Sequence, residues 1–183
     1  MKGFIILGLS ASSVLSAQTD STQIKEIQEV SFTRRLPVSK EIINVQKDLG
    51  SKNLGQDLPI LLKNQMSVVA TSDAGNGVGY TGFRIRGSAG TSINVMLNGV
   101  PYNDSESQGT FFVNIPDMAS SASQIVIQRG VGTSSNGTAS FGASVNILTK
   151  NPDEKPYVLG QFSAGSFNTM KTSFEAGSGK FLN

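Results

Sequence analysis

The sequence contains no cysteine and no histidine, and these two absences exclude many kinds of active site at once. Without cysteine the chain has no disulfide framework, no thiol nucleophile and no cysteine that could carry a lipid anchor. Without histidine it has neither a zinc-finger ligand set nor a Ser-His or Cys-His relay. Any catalysis would therefore depend on carboxylates, lysine, tyrosine or a hydroxyl group alone, and we expect no metal site and no cofactor.

Charge is also scarce, and it is mixed in sign. Fifteen basic and 13 acidic residues give a formal net charge of +2, and charged residues make up 15% of the 183. A nucleic-acid-binding protein concentrates basic residues on one face, whereas the two signs are interspersed here, so we expect no nucleic-acid partner. Glycine is frequent instead, with 20 residues. Together with many Ser, Asn and Thr, it favours turns and short strands.

The first 17 residues have the pattern of a secretory signal peptide. Lys2 precedes the apolar run Phe4–Leu9, and small residues end at Ala17. This pattern predicts export and cleavage before Gln18, and the run is too short to span a bilayer. The alternative is a buried N-terminal strand or helix.

Residues 18–51 predict a flexible arm, and Gln18–Pro37 within it is polar. Ile27–Phe32, "IQEVSF", is a short run of strand-forming residues within it. Such a segment could add itself to the sheet edge of another protein. A leader without fixed structure is the alternative.

The region from about 52 to 150 has the signals of a small α+β domain. Leu58, Leu61 and Leu62 lie on one helical face, with Asp57 as a possible N-cap and Pro59 in the first turn. A second short helix is predicted to start at "IPDMASSAS". The predicted strands are "FRIRG", "INVML", "QIVIQRG" and "SVNILTK", and Asn98-Gly99 predicts a type I′ hairpin turn.

Gly77, Gly79 and Gly82 satisfy the G-x-G-x-x-G spacing of a dinucleotide site. That site needs a helix to begin at the glycines, so that the helix N-terminus can hold a pyrophosphate. The strand-like "FRIRG" follows here instead. We therefore treat the match as a coincidence in a glycine-rich chain.

The pattern of polar and apolar residues changes after residue 150. Over Thr169–Ala176 the chain alternates strictly between two sets, polar Thr169, Lys171, Ser173 and Glu175 and the intervening Met170, Thr172, Phe174 and Ala176. "YVLGQFSAG" alternates more loosely before a turn at Gly165-Ser166. A strand with one polar and one apolar face is typical of a transmembrane barrel. A hairpin of a soluble β sandwich is the alternative.

Taken in order, these motifs resemble a known family. "FRIRG", "INVMLNGVPYND", "IPDMASSASQIVIQRGVGTSSNGTASFGASVNILTK" and the alternating hairpin are similar to the plug domain and first barrel strands of TonB-dependent outer-membrane receptors. The resemblance implies a plug over 52–150 and the first strands of a barrel over 151–183. The sequence departs from the family pattern at Met66-Ser67, where the family usually has Pro-Gly. In that family the plug sits inside a barrel of about 22 strands, which needs roughly 220 residues. We therefore expect the chain to be the N-terminal piece of such a receptor, with outer-membrane lipid around its barrel.

The resemblance also implies a TonB box, the segment that pairs with the energy-coupling protein TonB in the periplasm. Its residues would be Ile27, Gln28, Glu29, Val30, Ser31, Phe32 and Thr33. The segment is similar to the box form common in Bacteroidetes receptors, although Ser31 and Phe32 stand where valines are usual.

Active import of an extracellular ligand is the function that the resemblance implies. The default ligand is an iron–siderophore complex, with cobalamin, haem, other metal chelates and oligosaccharides open. Arg84, Arg86 and Arg129 lie where the family keeps arginines, some of which pair with barrel glutamates, and Arg86 is also expected to face ligand. Expected ligand contacts in the loop after the hairpin are Tyr102, Asn103, Phe111 and Phe112, for which loop packing is an equal alternative.

Two other classes of function remain open from the residues. One is a secreted soluble β-rich binding or adhesion module. The other is an exported glycoside hydrolase that uses Asp104 and Glu106, although this Ser-rich turn offers little apolar cover to raise either pKa. The same "NDSES" segment lacks the ligand spacing of an EF-hand calcium loop.

Overall fold

The computed structural model describes residues 40–132, 140–153 and 155–179. The predicted signal peptide and the segment Ile27–Thr33 lie outside these residues. The regular elements, in chain order, are β1 (Lys40–Asn44), α1 (Leu58–Leu61), β2 (Val68–Ser72), β3 (Thr81–Ile85), β4 (Ile93–Leu97), β5 (Val100–Pro101), α2 (Met118–Ser121), β6 (Ala122–Arg129), β7 (Ala143–Thr149), β8 (Tyr157–Ala164) and β9 (Met170–Gly177). Single helical turns lie at Val45–Leu49, Gly50–Lys52, Gly90–Ser92 and Phe112–Asn114.

A five-stranded sheet in the order β1-β6-β7-β4-β5 organises the first part of the fold. β6 runs antiparallel to β1 and β7, whereas β7 runs parallel to β4. Ile125, Ile127 and Val145 of the central strands are fully buried. The buried hydrophobic cluster joins this sheet to α1 and to the β2–β3 hairpin. The mixture of short strands and short helices confirms the α+β prediction.

The sheet begins at Lys40, earlier than the start predicted near residue 52. β1 pairs with β6 from Lys40 opposite Gln128 to Asn44 opposite Gln124. Ile43 is its buried side chain, at 3% exposure. An edge strand that buries so few side chains leaves little hydrophobic pattern in the sequence, so its place in the sheet depends on β6 rather than on its own composition.

The predicted first helix is confirmed as the single turn α1. Leu58, Leu61 and Leu62 are buried, as the helical spacing requires. The predicted strand "FRIRG" is confirmed over Phe83–Ile85 as part of β3, which pairs with β2 in a separate two-stranded sheet. It ends before Arg86, whose φ is 51°. Between α1 and β2 the chain turns at Ser67, whose φ of 59° lies in the left-handed region that glycine adopts most easily.

The hairpin turn at Asn98-Gly99 is also confirmed. Both residues have positive φ, 51° and 83°, as a type I′ turn requires. The Gly99 backbone N–H donates to Asn146 Oδ1 at 2.9 Å, which ties the turn to the neighbouring strand β7. The second predicted helix is confirmed as α2, which begins directly after Asp117.

The C-terminal hairpin β8–β9 pairs over eight positions, from Tyr157 opposite Gly177 to Ala164 opposite Met170. Its two faces differ in chemistry. One face bears the exposed apolar side chains Val158, Phe162, Met170 and Phe174. The alternate face bears Gln161, Ser163, Lys171, Ser173 and Glu175, and on β9 these alternate residues are half-buried. Among the described residues, no helix has the length and apolar character needed to cross a membrane.

Candidate functional site

A cleft of about 250 Å³ lies between the β2–β3 hairpin and the loop that follows β5. Its exposed aromatic walls are Tyr80 and Phe111, which are 67% and 44% accessible. Its polar lining is Thr71, Asp73, Thr81 and Thr110. Flat aromatic surfaces combined with a few hydroxyl and carboxylate groups are typical of a site that binds a small molecule with mixed apolar and polar character.

One hydroxyl in this cleft has no partner within the described residues. Thr110 Oγ1 is buried and makes no hydrogen bond. A buried hydroxyl without a partner is unfavourable by about 1–3 kcal/mol.

The glycine-rich loop 73–80 sets one wall of the cleft. The Asp73 backbone N–H donates to the Tyr80 carbonyl at 3.1 Å, which closes the loop at its base directly before β3. Sequence reasoning did not identify Asp73 or Tyr80. The signal in the sequence is a single aromatic residue between the last loop glycine and a strand.

The loop 101–111 sets the opposite wall, and Asn103 organises it. Asn103 Oδ1 accepts from the Val95 backbone N–H at 2.7 Å. Its Nδ2 donates to the carbonyls of Ile93 and Gln108 at 2.9 Å and 2.8 Å. These three bonds occupy the amide in holding the loop on β4. Tyr102, beside it, is half-buried.

The two neighbouring phenylalanines have different environments. Phe112 is 4% exposed and packs on Phe83, with ring centroids 5.3 Å apart. Phe111 lines the cleft and remains accessible. Phe112 therefore packs in the core over β3, and it also contributes to the lining of the cleft. Ligand contact stays a prediction for both residues.

The three predicted arginines lie in different environments. Arg129 is 8% exposed; its guanidinium pairs with Glu41 of β1, and its Nε donates to the Met66 carbonyl at 3.0 Å. Arg84 and Arg86 are exposed. A Cβ placed on Gly130 would lie 3.5 Å from the Nη1 of Arg86, so this side chain extends beside the end of β6. Pairing of these arginines with barrel carboxylates stays a prediction.

Two further ion pairs join the C-terminal hairpin to the rest of the fold. Lys171 Nζ lies 2.7 Å from Asp117 Oδ2 and 2.6 Å from Ser120 Oγ. Lys150 Nζ lies 2.6 Å from Glu175 Oε2. Sequence reasoning identified Lys171 and Glu175 only as members of an alternating polar face. Their partners come from the end of β7 and the start of α2.

The carboxylate pair considered for hydrolysis has an unsuitable environment. Asp104 Oδ2 accepts from the Ser107 backbone N–H at 2.7 Å and from its hydroxyl at 2.8 Å. These bonds, the backbone one first, hold the pKa of Asp104 below its usual value of 3.8. A general acid needs the opposite shift. Within the described ranges, no three carboxylates converge on a point where they could hold a metal ion.

Comparison with known proteins identifies the fold. The family model of the TonB-dependent receptor plug domain matches residues 33–144. No curated protein sequence matches the chain significantly. The ferric yersiniabactin uptake receptor FyuA from Yersinia pestis has a TM-score of 0.59 at 15% identity, over 80% of this chain and 22% of that one.

Two other solved structures share the fold. FpvAI, solved with pyocin S2, has a TM-score of 0.61 at 16% identity, over 82% of this chain and 19% of that one. The siderophore receptor PirA from Acinetobacter baumannii has a TM-score of 0.52 at 20% identity, over 67% of this chain and 19% of that one. The chain thus spans about a fifth of the length of the receptors it matches.

Strands β8 and β9 resemble the start of the barrel that follows the plug in these receptors. The likeness to solved structures establishes the fold, and the family model covers more than half of the chain. The chain therefore belongs to the TonB-dependent receptors, and residues 33–144 match their plug domain.

Proposed function

We propose that this chain is the N-terminal part of an outer-membrane receptor that imports a scarce extracellular ligand with energy delivered through TonB. One observation carries the proposal: the β8–β9 hairpin directs Lys171 and Glu175 towards the plug and leaves its apolar side chains exposed. A barrel wall that encloses a plug inside a membrane needs this division of faces. A secreted soluble module is less well supported, because its exposed apolar face would lack lipid to cover it.

The ligand is an iron–siderophore complex in this proposal. FyuA is named as a ferric yersiniabactin uptake receptor and PirA as a siderophore receptor, whereas the neighbour OprC is named as a copper transporter. The cleft with Tyr80 and Phe111 offers aromatic faces and hydroxyl groups to such a complex. Cobalamin, haem, other chelates and oligosaccharides are the competing ligands. Arg86 and Tyr102, which do not line this cleft, are proposed as further ligand contacts.

TonB is the proposed partner, and Ile27–Thr33 is the proposed coupling segment. A strand added to the sheet of TonB can bear load along its hydrogen-bond ladder. The chain continues from this segment to β1, which pairs with β6 at an edge of the plug sheet. A pull on the segment would therefore reach the plug at an edge strand rather than at its centre.

The test is a substitution that removes a backbone donor. In the full-length receptor, Val30→Pro should abolish energy-dependent uptake of radiolabelled ferric enterobactin and leave binding at the cell surface nearly unchanged, because proline cannot complete the ladder. Val30→Ala keeps the backbone and should transport almost normally. Normal transport by the proline variant would refute the coupling role of this segment.

Export is tested on the same protein. The mature receptor should begin at Gln18 and should fractionate with the outer membrane. Mass spectrometry that finds Met1 on the mature chain would count against the predicted signal peptide.

A further inference from the structure

Asp57 is a fully buried carboxylate, 0% exposed, at the start of α1. The sequence predicted it as a helix N-cap, and it occupies that position, but its side chain makes no capping hydrogen bond. Oδ2 instead accepts from the Gly79 backbone N–H at 3.0 Å and from Thr81 Oγ1 at 2.9 Å. Burial of a polar side chain is unfavourable, so a residue that served packing alone would be apolar here.

The backbone of Asp57 contacts the same loop. Its N–H donates to the Gly77 carbonyl at 2.9 Å. Gly77 has a φ of +80°, and a Cβ placed there would lie 3.4 Å from the Ile60 side chain. The loop thus lies directly on α1, and one residue holds it at three points.

These three points flank the exposed wall of the cleft. Gly79, Tyr80 and Thr81 all line it, and the residues on both sides of Tyr80 are bonded to Asp57 Oδ2. Tyr80 itself is not bonded to Asp57 Oδ2, and its side chain is 67% exposed. Its position depends on the backbone on either side, which Asp57 fixes.

The environment of the other carboxylate oxygen indicates that Asp57 holds the loop as a hydrogen-bond acceptor. Oδ1 is buried without a hydrogen-bond partner among the described residues. No cation therefore pairs with it there, and the contact with the loop uses a single acceptor oxygen. An asparagine in the same place would retain that acceptor, whereas an alanine would remove it.

From this geometry we propose that Asp57 is the positioning residue of the ligand cleft: it holds loop 73–80 against α1 so that Tyr80 faces the ligand. This inference rests on the proposed function for the identity of the ligand, but the position of the loop can be measured without any ligand.

The first measurement uses a spin label at Ala74→Cys in the full-length receptor, since residues 1–183 contain no cysteine and any others would be replaced. Asp57→Ala should make the label markedly more mobile, whereas Asp57→Asn should leave its spectrum near the parent's. Thr81→Val removes one of the two side-chain bonds and should give intermediate mobility. Asp48→Ala, at an exposed carboxylate, is the matched control and should have no effect.

Amide protection of β6 and β7 in the same samples shows which variants have folded. If Asp57→Ala does not fold, Thr81→Val and Asp57→Asn still decide the question. An immobile label in a folded Asp57→Ala or in Thr81→Val overturns the proposal. A label as mobile in Asp57→Asn as in Asp57→Ala overturns it too, because the acceptor would then not be what holds the loop.

The second measurement is uptake of the same ferric siderophore. Loss of the two bonds should raise KM roughly five- to tenfold with Vmax unchanged, because the coupling segment is intact. An unchanged KM alongside a mobile label would overturn the role in ligand positioning. If the parent receptor does not transport ferric enterobactin, this siderophore is not its ligand, and the label still decides whether Asp57 holds the loop.

Discussion

Lys171 of strand β9 donates to Asp117 at the start of α2, with Nζ 2.7 Å from Oδ2 and 2.9 Å from Oδ1. The same ammonium reaches Ser120 Oγ, which itself donates to Asp117 Oδ2 at 2.7 Å. The Lys171 side chain is 13% exposed, so this pair is largely shielded from water. It holds the β8–β9 hairpin on the plug with the cation on the hairpin and the carboxylate on the plug. The family resemblance implies the reverse arrangement, with arginines on the plug and glutamates on the barrel.

We expect Lys171→Met to loosen the hairpin from the plug. The variant leaves Asp117 without its cation, at a cost of about 1–3 kcal/mol. In the full-length receptor in detergent, backbone amides of β8 and β9 should exchange faster, while those of β6 keep their protection. Lys155→Met, at an exposed lysine, is the control. Equal exchange in both variants would show that the pair does not hold the hairpin.

Glu41→Ala should release β1 from the sheet. The substitution leaves the guanidinium of Arg129, which is 8% exposed, without its carboxylate, and we expect a loss of about 2–3 kcal/mol. Glu41→Gln keeps an acceptor and should lose less. Hydrogen exchange should rise in residues 40–44 first. Unchanged protection of β1 in the alanine variant would contradict this.

Phe111→Ala and Phe112→Ala should affect different properties, ligand binding and stability respectively. Phe112 packs on Phe83 in the core, so its removal should lower the free energy of unfolding by about 3 kcal/mol. Phe111 lines the cleft, so its removal should weaken ligand binding and leave the thermal midpoint unchanged. Thermal unfolding and a binding assay on the same two variants separate these effects. Equal destabilisation by both would contradict the assignment.

Gly142→Ala should destabilise the plug. An added Cβ would lie 2.2 Å from Ser88 Cβ and 3.2 Å from the Ser92 carbonyl, so the backbone would have to shift. Such overpacking costs about 1–3 kcal/mol. The double variant with Ser88→Gly should recover part of the loss. Gly160→Ala, where nothing lies within 4 Å, is the control for thermal unfolding.

The loop at Asp104 should resist acid. Hydrogen bonds from Ser107 hold the pKa of Asp104 below 3.8, its value in the unfolded chain. A depressed folded-state pKa adds stability that is complete above the unfolded value and is lost as the pH falls through the folded value. The mobility of a spin label at Ser105→Cys should therefore stay at its neutral-pH level down to about pH 4 and rise only below that pH. With Ser107→Ala the label should already be more mobile at neutral pH.

The elements with strong local signals were predictable from the sequence. Asn98-Gly99 tolerates positive φ at both positions, and this property belongs to the dipeptide itself. The alternation from Thr169 to Ala176 assigns side chains to two faces of a strand whatever packs on them, and β9 occupies that stretch. The leucine spacing of α1 and the β-branched run of β6 are equally local.

Partners far apart in the chain were decided only by the tertiary structure. Asp57 looks like an N-cap because capping is a local pattern, yet it bonds to Thr81, 24 residues later. Arg129 meets Glu41 across 88 residues, and Lys171 meets Asp117 across 54. A sequence shows that a side chain is charged or aromatic, but burial and choice of partner depend on which strands become neighbours. That arrangement is fixed by packing of the whole core, and no single segment encodes it.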